Sequence, residues 1–158
     1  MPVRRIEPAA DYDRLFDAVR PQLAGDPGVR AQSYARFREL GFPNQRAEAW
    51  KYTSLKALAE SAPAAPAPVA VRAADLQPYL LTGNVKRLVF VNGFLAAELS
   101  DVADLPAGLA VASFDERASH EGALLADAMA ERSLTALNAA LAHGGAVVEV
   151  ADGTDVAP

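Results

Sequence analysis

Ser61 to Ala70 reads Ser-Ala-Pro-Ala-Ala-Pro-Ala-Pro-Val-Ala, and this run governs what can form on either side of it. Each proline removes a backbone donor and clashes with a helix passing through it. The alanines between them offer almost no side chain to bury, so the run favours extended polyproline II geometry. Residues 61–71 are therefore expected to be an exposed linker. Use of the run as a proline-recognition ligand is the weaker option, because such motifs usually add aromatic or basic anchors. The chain is divided into an N-terminal helical part, 1–60, the linker, 61–71, and a small α+β part, 72–145.

Before the linker the periodicity is helical. Tyr12, Leu15, Phe16, Val19 and Leu23 share one face of a helix expected from Pro8 to Arg20, which Pro21 ends. Asp26 suits an N-cap and Pro27 the first helical position of the next helix. Val29, Ser33, Phe37 and Leu40 lie on one side of it. Arg30, Arg36 and Arg38 read as a solvated face. Gly41 suits the residue after the helix, with Phe42 folding back on Phe37 as the clasp of a Schellman motif. Thr53 or Ser54 caps a short helix through Leu55, Leu58 and Ala59.

Between these helices, Arg46 to Tyr52 packs two bases, an acid and two amphipathic aromatics into seven residues, including the one tryptophan. Two readings stand. In the first, Trp50 is a core anchor, buried with its indole N–H bonded, and the charges are solvated. In the second, Arg46, Glu48, Trp50, Lys51 and Tyr52 form a docking surface, because Trp, Tyr and Arg dominate interface energetics.

After the linker, Asp75 to Leu81 is expected to form one or two helical turns capped by Asp75, followed by a turn at Thr82-Gly83-Asn84. Arg87 to Val91 is apolar on both faces and predicts a buried strand. Asn92-Gly93 predicts a type I′ hairpin, because both positions need positive φ. Phe94 to Leu99 should return antiparallel. Leu105 to Gly108 is a turn before a short strand, Leu109 to Ala112. Ser113 and Glu116 have capping-box spacing for a helix from Phe114. Glu121 to Arg132 and a segment restarting at Ser133 are helical, the latter with Leu134, Leu137 and Leu141 inward. Asn138 near that face is read as bonding a neighbouring loop's backbone. Gly144-Gly145 ends the helix. Ala146 to Val150 is a strand expected to pair, within the domain or across a symmetric homodimer or crystal contact. Asp152-Gly153 is a turn.

Composition excludes more than it assigns. The net charge is −5 with no basic run, which argues against nucleic acid. The apolar content of 51% is inflated by alanine. No apolar stretch approaches the roughly 20 residues of a membrane span. Arg4 and Arg5 lead into Glu7 and Asp11 rather than an apolar signal core, so a cytoplasmic protein without membrane insertion is expected. The cysteine count is 0, which removes disulfides and thiolate ligands. No P-loop, dinucleotide, zincin or nucleophile-elbow pattern is present. His120 and His143 are isolated near expected helix ends. Asp115 and Glu116 sit at a helix start, where the dipole accounts for them. No catalytic, cofactor-binding or metal residue is expected.

Three stretches carry a resemblance. The first is Phe42-Pro43 with Arg46, Glu48, Trp50, Lys51, Tyr52 and Thr53. The second is Arg87 to Phe94, followed by Leu99-Ser100-Asp101 and Leu105 to Gly108. The third is Ala136 to Ala140, followed by Gly144-Gly145 and a valine-rich strand. In this order they resemble the N-terminal region of the SufB/SufD family, nearest its SufD branch. The family supplies scaffold components of iron–sulfur cluster assembly. The resemblance implies a SufB-like protein and a SufC-like ATPase as partners, with any ATPase activity belonging to the latter. It implies a cluster in the assembled complex but outside this segment, and an accessory docking role without chemistry of its own. Complete members continue into a β-helix core, so the resemblance implies that 146–158 is the start of a truncated one. Two readings compete with it. One is a protein-binding module of an unrelated pathway using the Trp/Tyr/Arg patch. The other is a small hydrolase in which His120 or His143 meets a serine and a carboxylate.

Overall fold

The first firm anchor of the fold is a helix start. In the computed structural model, which describes residues 5–81, 83, 85–114 and 132–155, the Asp26 carboxylate accepts hydrogen bonds from the Gly28 and Val29 amides. Pro27 takes the first helical position, and α2 runs Pro27–Leu40 as the spacing predicts. α1 (Asp11–Val19) starts later than expected and ends before Pro21, which lies in a 3-10 turn. Tyr12, Phe16 and Val19 are buried along it, and Leu23 follows. α3 (Lys56–Glu60) adds the buried Ala59, with the Ser54 hydroxyl accepting from the Lys56 amide at 3.4 Å. The structure is mixed α and β, as the sequence indicates.

The described residues fall into two compact units, divided between Ala65 and Pro66, inside the Pro/Ala run. Ser61 to Ala70 forms no helix or strand and is almost wholly exposed.

The helical unit takes 5–65 and 132–142. Its core is aromatic. Tyr12 meets Phe37 at 5.7 Å and Phe42 at 5.4 Å between ring centroids. Phe42 stands edge-on to Phe37 at 5.2 Å, and Phe16 stacks on Tyr34 at 4.2 Å. Such pairs add roughly 0.5–1.5 kcal/mol each beyond the area they bury. Tyr12 donates to the Leu58 carbonyl at 2.6 Å and Tyr34 to Asp13 at 2.8 Å. Burial, and for Tyr34 the Asp13 carboxylate as well, raises both phenols above their ordinary pKa.

α5 (Ser133–Leu141) completes this core. The expected grouping of 72–145 as one part is thus divided, because α5 packs on α2. Its buried stripe is Ala136, Ala139 and Ala140; Leu134, Leu137 and Leu141 are half-buried against the core. The small side chains let two helix backbones approach closely. Asn138 is exposed, contrary to its expected place beside the apolar face.

Two further expectations are corrected here. Arg30 is not on a solvated face. It is 6% exposed, and its guanidinium donates to the carbonyls of Ala24 (2.7 Å), Ala139 and Ala140 (3.3 Å each). It thereby caps the C-terminal end of α5, where a cation is favoured. Arg36 and Arg38 are half-buried and paired with Glu39 and Asp13, and Arg38 also donates to the Pro8 carbonyl at 2.9 Å. Gly41, at φ 62°, does accept the end of α2, its amide bonding the Phe37 carbonyl at 2.8 Å. Phe42 does fold back on Phe37 as expected, but its amide bonds the Ile6 carbonyl at 2.9 Å, and Ile6 bonds back, so a β-bridge replaces the Schellman hydrogen bonds. A Cβ at Gly41 would meet the Ile6 carbonyl oxygen at 2.9 Å.

The sheet unit takes the described residues from Pro66 to Phe114 and from His143 to Asp155. α4 (Ala73–Leu76) begins before Asp75, which sits in its first turn and pairs with Arg72 rather than capping. β1 (Phe90–Val91) and β2 (Phe94–Leu95) form the expected hairpin, with Asn92 at φ 51° and Gly93 at φ 90°. The strands are shorter than the sequence suggests. Phe90 is 45% exposed, and the return strand becomes a 3-10 turn at Ala97–Leu99. The apolar content of 87–91 promised two covered faces, which this unit does not supply. β3 (Leu109–Ser113) pairs antiparallel with β4 (Ala146–Val150), Val111 opposite Val148. The valine-rich segment therefore pairs within its own unit. Residues 82, 84 and 115–131, with Glu116, His120 and the helix expected from Glu121, lie outside the described residues.

Candidate docking surface

The stretch after α2 is held by a chain of short turns. The Asn44 side chain accepts from the Arg46 amide at 2.9 Å, and the Asn44 carbonyl accepts from Ala47 at 3.0 Å. A 3-10 turn, Glu48–Trp50, follows, with the Trp50 amide on the Ala47 carbonyl at 2.9 Å. Thr53 closes the series on the Trp50 carbonyl at 3.0 Å. Every backbone link is local, so the side chains of this stretch are released to point outward.

They do so. Trp50 is half-buried and stands outside the aromatic core, and its indole N–H makes no hydrogen bond among the described residues. The core-anchor reading is corrected: five other aromatic rings already fill that space. Tyr52 is 90% exposed, with the Lys51 ammonium over its ring at 5.4 Å. Arg46 and Glu48 are both exposed and do not pair with each other.

Trp50 forms part of the wall of an open groove of about 930 Å³. Leu40, Gly41, Pro43, Ala47 and Ala49 continue the wall from its own neighbourhood. The opposite contribution comes from Arg132 and the first turn of α5, Ser133, Leu134 and Thr135. The Ser133 hydroxyl donates to the Gly41 carbonyl and joins the two sides. Arg5 and Glu39 also line it; each is paired, with Glu7 and Arg36. Sequence reasoning identified Trp50 and its neighbours but not Arg132 to Thr135, which are distant in the chain and show no motif.

His143 lies beyond α5, with Phe94 edge-on at 6.1 Å. Among the described residues no group of three or more metal-ligating side chains is gathered, and no helix is long and apolar enough to cross a membrane.

Comparison with known proteins follows the same line. The family model of the SufBD protein N-terminal region matches residues 10–157. An iron-sulfur cluster assembly SufBD family protein of Synechocystis sp. is 33% identical over 95 residues, which are 60% of this chain and 21% of the relative. The chain thus aligns with about a fifth of that relative's length.

Proposed function

Because this chain belongs to the SufBD family, as its N-terminal region, we propose that it serves iron–sulfur cluster assembly as the docking part of a SufD-like scaffold component. It acts in the cytoplasm beside a SufB-like protein and a SufC-like ATPase, and any ATP turnover belongs to the ATPase. The cluster is the cargo of that assembly and is held elsewhere, because a chain with 0 cysteines has no thiolate to offer it. The segment has no chemistry of its own.

One observation carries the reading. The run that joins the one tryptophan to Tyr52 and Arg46 is not spent on the core: Trp50 lines a groove and Tyr52 is 90% exposed. Large aromatics left at the surface beside uncompensated charge are the usual anchors of protein association.

The test is a Trp50→Ala and Tyr52→Ala pair, assayed with purified SufB-like and SufC-like proteins by calorimetry. Affinity should fall by at least about tenfold. The cost in stability should stay well below the roughly 3–5 kcal/mol of a core aromatic deletion. Full affinity in both variants would sink the docking role.

A further inference from the structure

Within the helical unit, the described surface cations that have no carboxylate partner gather around Trp50. Six surface cations of the helical unit have a carboxylate partner: Arg5, Arg14, Arg20, Arg36, Arg38 and Lys56. Arg30 is buried on the carbonyls that close α5. Arg46, Lys51 and Arg132 have no carboxylate within ion-pair distance among the described residues. All three belong to the groove or flank it. Arg132 lines it, and Arg46 and Lys51 bracket in sequence the lining residues Ala47, Ala49 and Trp50. Glu39 in the wall is neutralised by Arg36, and Glu48, the one acid between Arg46 and Lys51, has no ion pair among the described residues. The first turn of α5, also in the wall, has no side-chain cap, so its amides add to the positive end.

We infer that the groove takes an acidic segment of a partner protein, an apolar side chain against Trp50 and carboxylates toward Arg46, Lys51 and Arg132. The inference rests on the docking reading and adds the chemistry of the occupant. Guanidinium groups suit carboxylates because they offer parallel donors in a planar fork. The apolar wall of Leu40, Pro43 and Trp50 asks for a side chain as well as charge. A nucleic acid fits less well: it would meet a single tryptophan rather than a row of stacking rings.

The test pans a random dodecapeptide phage library on the chain, then measures synthetic copies of the enriched peptides through Trp50 fluorescence. Enriched peptides should combine Asp or Glu with a Leu or Phe. Their affinity should drop about tenfold or more in Arg46→Ala/Lys51→Ala/Arg132→Ala, and with 0.5 M salt. The triple Glu variant should select basic peptides instead. Trp50-dependent enrichment of neutral or basic peptides by the unaltered chain would overturn the acidic occupant and leave docking standing. No Trp50-dependent enrichment would overturn it too. So would a 20-nucleotide single strand that displaces the peptides, or a dimer that dissociates on the same substitutions. Failure of docking itself is read separately, from calorimetry with the SufB-like and SufC-like proteins.

Discussion

The helical unit contains every buried residue among those described, and the sheet unit contains none. In the first, five aromatic rings and a stripe of alanines close on each other. In the second, two short ribbons are set by turns, with Phe90, Val148 and Val150 each about half exposed. The difference concerns which physical term does the holding. Fully burying a large apolar side chain is worth roughly 1.5–3 kcal/mol. A cross-strand pair contributes roughly 0.2–1 kcal/mol, and a two-stranded ribbon alone is marginal. The helical unit is therefore expected to set the chain's global stability, and the sheet unit to open first.

The comparison is most exposed to a paired deletion. Phe37→Ala, at a position 0% exposed, should cost roughly 3–5 kcal/mol in urea unfolding. Phe90→Ala should cost under about 1 kcal/mol. Equal costs would break the contrast.

Arg30 tests whether the helical unit also depends on one polar contact. Arg30→Met should lose roughly 2–3 kcal/mol, because three carbonyls lose their charged donor, two of them at the end of α5. Arg30→Lys should recover little of this, since one ammonium cannot reproduce the fork. A lysine variant as stable as the parent would show that charge alone is needed.

Alkali is a gentler handle on the same unit. Tyr12 and Tyr34 have folded pKa values above the ordinary phenol value of about 10. Their contribution is complete below that value and is lost as pH climbs past it, because the unfolded chain then releases protons that the folded chain retains. Circular dichroism should record the loss above about pH 10. Tyr34→Phe should blunt it; an unchanged alkaline transition would assign it elsewhere.

The smallest effect sharpens the other side. Gly93 has φ 90°, and a Cβ added there would have nothing within 4 Å, so Gly93→Ala meets only backbone strain. It should cost roughly 1–2 kcal/mol, confined to the hairpin. Amide exchange should quicken around β1 and β2 while Phe37 amides keep their protection. Global quickening would mean that the two units unfold together.

Much of this architecture was legible because the signals are local. Asp26-Pro27 starts a helix through the Gly28 and Val29 amides, Asn92-Gly93 makes its turn, and the Pro/Ala run forms neither helix nor strand. The candidate site was half legible. Its Arg46–Tyr52 wall announces itself by composition, but Arg132 to Thr135 do not.

What the sequence determined by itself, then, was where α2 starts and stops, where the β1–β2 hairpin turns, and that this sequence offers no thiolate. Those outcomes depend on φ preferences, missing donors and residues at most about four positions apart. Only the tertiary structure decided that Arg30 is buried, that α5 joins the N-terminal helices, and that Trp50 faces a groove. The Arg30 contacts span 109 and 110 positions, and an arginine's stem and head suit a wet surface or a buried carbonyl end equally well. Which one it takes depends on what packs beside it, and the five rings that fill the core leave Trp50 outside.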